Sequence, residues 1–134
     1  NQMAMAAGSA VMRYLKEHNV AAHATAMGDR LSEHLHILQR DFPQLGDIRG
    51  RGLMLGVELV DPAGKLDALG HPPAFARLAP LVQRECLKRG LILELGGRQG
   101  SVVRFLPPLI ITASEIDQVA AIFGNAMAAA IIQL

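Results

Sequence analysis

Among the residues able to do chemistry, Arg104 has the most unusual surroundings. It lies in Ser101-Val102-Val103-Arg104-Phe105-Leu106-Pro107-Pro108-Leu109, an apolar, strand-like run that a Pro-Pro pair stops. A guanidinium is costly to bury unless an anion meets it. Its rigid two-pronged fork matches a carboxylate. The run therefore points to a site for a carboxylate-bearing small molecule. A plainer arrangement fits the same residues: the stem lies along the sheet and the head stays in water.

The second feature is Gly46-Asp47-Ile48-Arg49-Gly50-Arg51-Gly52-Leu53-Met54-Leu55-Gly56-Val57-Glu58. Glycines at 50, 52 and 56 at the mouth of a strand mean close backbone approach, a bulge or special torsions. No helix follows to supply an N-terminal dipole, so this is not a phosphate-binding loop. Arg49 and Arg51 either flank an anion or decorate a solvated strand edge.

Other reactive residue types form no constellation. His18, His23, His34, His36 and His71 have no metal-ligand spacing and read as surface residues. Ser9, Ser32, Ser101 and Ser114 lack a nucleophile-elbow context. Asp29, Glu33, Glu85 and Asp117 fall at helix-surface positions and form no catalytic pair. Cys86, the single cysteine, sits in a helical pattern as a buried, inert thiol and excludes an internal disulfide, which suits a reducing, cytoplasmic compartment. No catalytic, cofactor-binding or metal-binding residue is assigned within the chain.

Composition sets the frame for these residues. The 134-residue chain is 51% hydrophobic and 19% charged, enough for one packed core. A net charge of +1 and 4% aromatics give neither an electrostatic footprint nor a stacking platform for nucleic acid. No apolar run approaches the roughly 20 residues needed to span a bilayer. The opening Asn1-Gln2-Met3-Ala4-Met5 lacks the basic start of a signal peptide and reads as the interior of a longer protein.

Periodicity supplies the elements. A helix rich in small residues is expected over 2–18, and a second over 21–41, where Met27, Leu31, Leu35 and Leu38 recur at helical spacing before Phe42-Pro43. One strand is expected over 48–60, then a Pro- and Gly-containing loop over 61–73. Pro72-Pro73 introduces a helix over 74–89, with Phe75, Leu78, Val82 and Cys86 on one face and Gly90 as its cap. Strands over 91–95 and 101–106 form a hairpin around Gly96-Gly97-Arg98-Gln99-Gly100. Thr112-Ala113-Ser114-Glu115 is a capping box opening the last helix, which buries Ile116, Val119, Ala120, Phe123, Met127 and Ile131. The fold class is α+β: a small, largely antiparallel sheet of three to four strands, covered on one face by about four helices.

The run Arg49-Gly50-Arg51-Gly52-Leu53-Met54-Leu55-Gly56-Val57-Glu58, the run Val102 to Leu109 and the Thr112-opened helix together resemble the C-terminal part of class III aminotransferases. The resemblance covers essentially the whole chain. It implies that residues 1–134 are the C-terminal small domain of an aspartate-aminotransferase-fold (fold type I) enzyme, a homodimer that uses pyridoxal 5'-phosphate. The catalytic lysine, the aspartate at the pyridine nitrogen and the ring-stacking aromatic would lie in a large domain outside the chain. The phosphate-contacting Thr would precede residue 1, so this fragment alone would neither hold the cofactor nor turn over.

Arg104 matches the family's substrate-carboxylate arginine. Glu94-Leu95-Gly96-Gly97-Arg98 before Val102 to Leu109 is most similar to the diaminobutyrate–2-oxoglutarate subfamily. The implied reaction moves the distal amino group of 2,4-diaminobutanoate to 2-oxoglutarate, giving aspartate 4-semialdehyde and glutamate. Ornithine, acetylornithine and 4-aminobutyrate aminotransferases share the same skeleton and remain alternatives. So do a free-standing α+β amino-acid-binding module and a dimerisation domain that pairs through Ala4 to Ala10.

Overall fold

The computed structural model describes residues 1–134. In chain order the elements are α1 (Gln2–Glu17), α2 (Val20–Asp41), β1 (Leu45–Arg51), β2 (Met54–Leu59), α3 (Leu78–Lys88), β3 (Glu94–Gly96), β4 (Val102–Phe105) and α4 (Ala113–Ile131). The strands form one sheet in the order β1-β2-β4-β3, and every neighbouring pair is antiparallel. Side chains alternate across a strand. Leu55, Val57 and Leu59 of β2 and Val103 and Phe105 of β4 are therefore buried on one face. They meet Leu31 and Leu35 of α2, Val82 and Cys86 of α3, and Ile116, Phe123 and Met127 of α4. Phe105 and Phe123 pack edge to face with ring centroids 5.2 Å apart, an arrangement worth about 0.5–1.5 kcal/mol beyond the area buried. This is the α+β layering that the pattern of elements implies.

Polar ties fasten the helices. The Arg30 guanidinium donates to both Asp117 carboxylate oxygens, at 2.7 and 2.8 Å, and His34 Nε2 donates to Oδ1 at 2.8 Å, so α2 is pinned to α4. The capping box at Thr112 is complete. The Glu115 amide donates to Thr112 Oγ1 at 3.3 Å, and the Thr112 amide donates to Glu115 Oε2 at 2.7 Å.

Four expectations need correction. The single strand over 48–60 is a hairpin, β1 to β2, with Arg51 paired to Met54 around Gly52-Leu53. Gly52 has φ +55, the glycine-first pattern of a II′ turn. The third helix begins at Leu78, not 74, because Ala74 bridges Val60 and the Phe75 amide donates to the Leu59 carbonyl at 2.8 Å. Of the four helices, α2, α3 and α4 cover the sheet, while α1 buries no residue and its slight packing goes to α2. Glu85 is not a surface residue: it is 5% exposed, held by Lys88 Nζ at 2.6 Å, by Arg89 Nη1 at 2.5 Å and by Gln133 Nε2 at 3.1 Å. No helix is long and apolar enough to cross a membrane.

Candidate functional site

The face of the sheet away from the helices carries the candidate chemistry. On β4, Arg104 sits between buried Val103 and Phe105, so alternation alone turns it outward. Its direct cross-strand partners are Gly56 on β2 and Glu94 on β3. The arginine is not buried: its side chain is 50% exposed, with Nη1 3.7 Å from Glu94 Oε2. Of the two arrangements that the sequence allows, this chain adopts the one with the stem on the sheet and the head in solvent. The stem crosses toward β3, where a Cβ added at Gly96 would stand 3.0 Å from Arg104 Cδ and 3.3 Å from Nη1. An exposed pair as long as that with Glu94 is worth at most about 1 kcal/mol. The guanidinium is therefore available to a stronger anion.

Two clefts meet at Arg104. One, of about 390 Å³, runs between β3 and the Pro-Pro segment and is lined by Leu93, Glu94, Leu106, Pro107 and Ile111. The other, of about 310 Å³, opens on the opposite side over Gly56, between Arg104 and Arg49. The proline rings fix φ, so the wall they form is stiff. Behind that wall, His23 Nε2 donates to the Ile111 carbonyl at 2.8 Å and ties the segment to α2. Because a carbonyl only accepts, the ring carries its proton on Nε2.

The other candidate residues fall into place around this face. Arg49 shares it, and is engaged by Asp47 at 2.7 Å and more loosely by Glu58 at 3.8 Å. Arg51 stands at the turn of the hairpin and lines a separate cleft with Ala24, Thr25 and Pro107. Lys88 is committed to Glu85, and neither Lys16 nor Lys65 lines the two clefts at Arg104. Cys86 is fully buried, and burial pushes its thiol up to about 11. Lys88, Arg89 and Gln133 hold the Glu85 carboxyl down at about 2, and Arg30 with His34 does the same for Asp117. These low carboxyl values belong to helix ties and lie away from the clefts. The arrangement can bind and orient an anion; the polar side chains lining the two clefts are Arg49, Glu94 and Arg104, with no serine, threonine, cysteine or lysine among them.

Sequence reasoning missed His23, His34 and Glu85, which it read as surface residues. The partners of His23 and His34 lie more than 80 residues away in the chain. For Glu85 a signal was present, since Lys88 and Arg89 follow at the three- and four-residue spacing that brings helix side chains together.

Comparison with known proteins gives these features a family. The description "Aminotransferase class-III" matches residues 1–127. The chain is 48% identical over 130 residues to a diaminobutyrate–2-oxoglutarate aminotransferase of Rhizobium meliloti (strain 1021), covering 97% of this chain and 27% of that protein. It is 41% identical over 118 residues to a protein of the same description from Haemophilus influenzae, covering 88% of this chain and 26% of the relative. The chain thus spans about a quarter of the length of these curated relatives. Among solved structures, the N-acetylornithine aminotransferase from Stenotrophomonas maltophilia K279a superposes with a TM-score of 0.78 at 26% identity, over 94% of this chain and 31% of that one. With the helix-backed antiparallel sheet and the family match in agreement, the chain belongs to the class III aminotransferases.

Proposed function

We propose that residues 1–134 are the C-terminal small domain of a pyridoxal-phosphate-dependent aminotransferase, and that Arg104 grips a carboxylate of its substrates. The observation that carries this reading is the state of Arg104: a half-exposed guanidinium with one loose partner, at the junction of two clefts. A bidentate grip on a carboxylate fixes the position and the orientation of a small acid together.

This chain's own residues do not fit as holders of the cofactor. Neither cleft at Arg104 contains a lysine to bond it, and none of the four α-helices places its N-terminus among the residues lining them. Pyridoxal 5'-phosphate is therefore assigned to the rest of a longer protein. What this domain contributes is orientation of the substrate and one wall of the cleft.

The 48% and 41% identities favour 2,4-diaminobutanoate as amino donor and 2-oxoglutarate as acceptor, with aspartate 4-semialdehyde and glutamate as products. The whole enzyme on this reading is a homodimer. The test uses the full-length protein loaded with cofactor, presented separately with 2,4-diaminobutanoate, ornithine, acetylornithine and 4-aminobutanoate. The cofactor's absorbance is followed for conversion to its amine form. Fastest conversion by diaminobutanoate supports the assignment. Conversion led by another of these amines keeps the aminotransferase and overturns the donor, and no conversion by any amine overturns both.

A further inference from the structure

We infer that Gly96 is a positioning residue for Arg104: its missing side chain is the seat across which the arginine's stem and head are laid. The inference rests on the carboxylate-binding reading of Arg104 and adds a residue to it.

The register sets up the contact. Arg104 faces Glu94 directly, and Gly96 lies two residues further along β3, so Glu94 and Gly96 project to the same open face. Arg104 passes over that strand with Nη1 3.7 Å from Glu94 Oε2. At Gly96 an added Cβ would meet Cδ at 3.0 Å, Nη1 at 3.3 Å and Cζ at 3.8 Å. No other atoms come nearer to that position. The atoms that crowd the space left by the absent side chain most closely are thus all the arginine's. Even a methyl group would have to lift the stem by a few tenths of an ångström or swing the head off β3.

Backbone requirements do not explain this glycine. Gly96 lies in a paired strand and is not among the positive-φ residues, whereas its neighbour Gly97 has φ +67. A Cβ on Gly97 would crowd the Val102 side chain, with Val102 Cβ 2.9 Å away. The two adjacent glycines therefore have separate reasons: Gly97 makes the turn, and Gly96 leaves room for Arg104. On the other flank, Gly56 faces Arg104 from β2 and leaves the second cleft open. The guanidinium thus leans toward β3, with free space on the β2 side from which a carboxylate can reach it.

The test is a double-mutant cycle in the full-length, cofactor-loaded enzyme, comparing wild type, Gly96→Ala, Arg104→Ala and the double variant. KM and kcat for 2-oxoglutarate and the melting temperature are read for each. Gly96→Ala is expected to raise KM about tenfold with kcat nearly unchanged, as loss of uniform binding does. In the Arg104→Ala background the same change is expected to do nothing, because the two positions are coupled. The melting temperature of Gly96→Ala should stay at the wild-type value, while Gly97→Ala lowers it. An equal KM increase with and without Arg104, or none in the wild-type background while Arg104→Ala raises KM strongly, overturns the role of Gly96. Normal 2-oxoglutarate kinetics in Arg104→Ala overturns the underlying reading of Arg104, and with it the inference.

Discussion

Replacing Gly28 by alanine should destabilise the chain, although the same change in an open helix stabilises it. Gly28 lies in the interior of α2 and is buried against the β1–β2 turn. A Cβ there would stand 2.6 Å from Gly52 Cα and inside the van der Waals radii of the Gly52 carbonyl. Both neighbours are backbone, so neither can swing aside, and helix and hairpin must separate. Overpacking of this kind costs about 1–3 kcal/mol, at times more. Against it stands a gain of about 1 kcal/mol from replacing glycine by alanine in a helix. With rigid backbone on both sides the cost sits at or beyond the upper end of that range, leaving a net loss of about 2 kcal/mol.

The matched comparison is Gly8→Ala in α1, where nothing lies within 4 Å of the added atom and only the propensity gain operates. Amide hydrogen exchange reads each helix separately. At Leu31 and Leu35, Gly28→Ala should speed exchange roughly 30-fold, which corresponds to about 2 kcal/mol of opening free energy. Gly8→Ala should slow exchange within α1. Unchanged or slower exchange in α2 of the Gly28 variant would refute the close approach of α2 to the hairpin.

Two further predictions concern titration. Glu85 and Asp117 both titrate lower in the folded chain, at about 2, than carboxyls of an unfolded chain, near 4. The unfolded state therefore takes up protons first, and the stability they contribute is complete above about pH 5 and lost as pH falls toward 2. Asp117→Asn should flatten the dependence of the melting temperature on pH in that window; a slope as steep as wild type would contradict the role of the Arg30 and His34 tie. At pH 8, Cys86 should react with a thiol reagent at least about 100-fold more slowly in the native protein than after unfolding, being buried and mostly un-ionised; prompt native labelling would show that α3 does not cover it.

Much of this arrangement is legible in the residues. The four helices, the capping box and a hairpin before Pro107 are all present, although α3 starts at Leu78 rather than 74 and the first strand of the hairpin runs Glu94–Gly96 rather than 91–95. The β1–β2 hairpin escaped for a specific reason. A two-residue turn preserves a period of two, so Leu53, Leu55, Val57 and Leu59 alternate without interruption through and beyond it. Gly52-Leu53 carries the glycine-first pattern of a II′ turn but not the stronger Asn-Gly or Asp-Gly signal of type I′. Phe75 fits a helical face by spacing, yet its amide donates to the Leu59 carbonyl and it lies before the start of α3. Such pairings between distant segments leave no local mark.

Arg104 stood out in the sequence by residue type and surroundings, but its burial was open. An apolar run of nine residues does not say which alternate positions face a core, and the register with Gly56 and Glu94 decides it. Gly28 drew no notice in the sequence, since a glycine inside a helix means close packing only once its neighbour is known. Residue type and motif marked the candidate residue, and its geometry required the pairing partners.

The central claim is that Arg104 holds the substrate carboxylate, and kcat/KM for 2-oxoglutarate in the full-length, cofactor-loaded protein with Arg104→Ala tests it most directly. Two charge-assisted hydrogen bonds are lost, so kcat/KM is expected to fall by roughly 100-fold or more. Bound cofactor and melting temperature should be unchanged, because Arg104 makes one loose contact with Glu94 and lies outside the core. A wild-type kcat/KM in that variant would contradict the account.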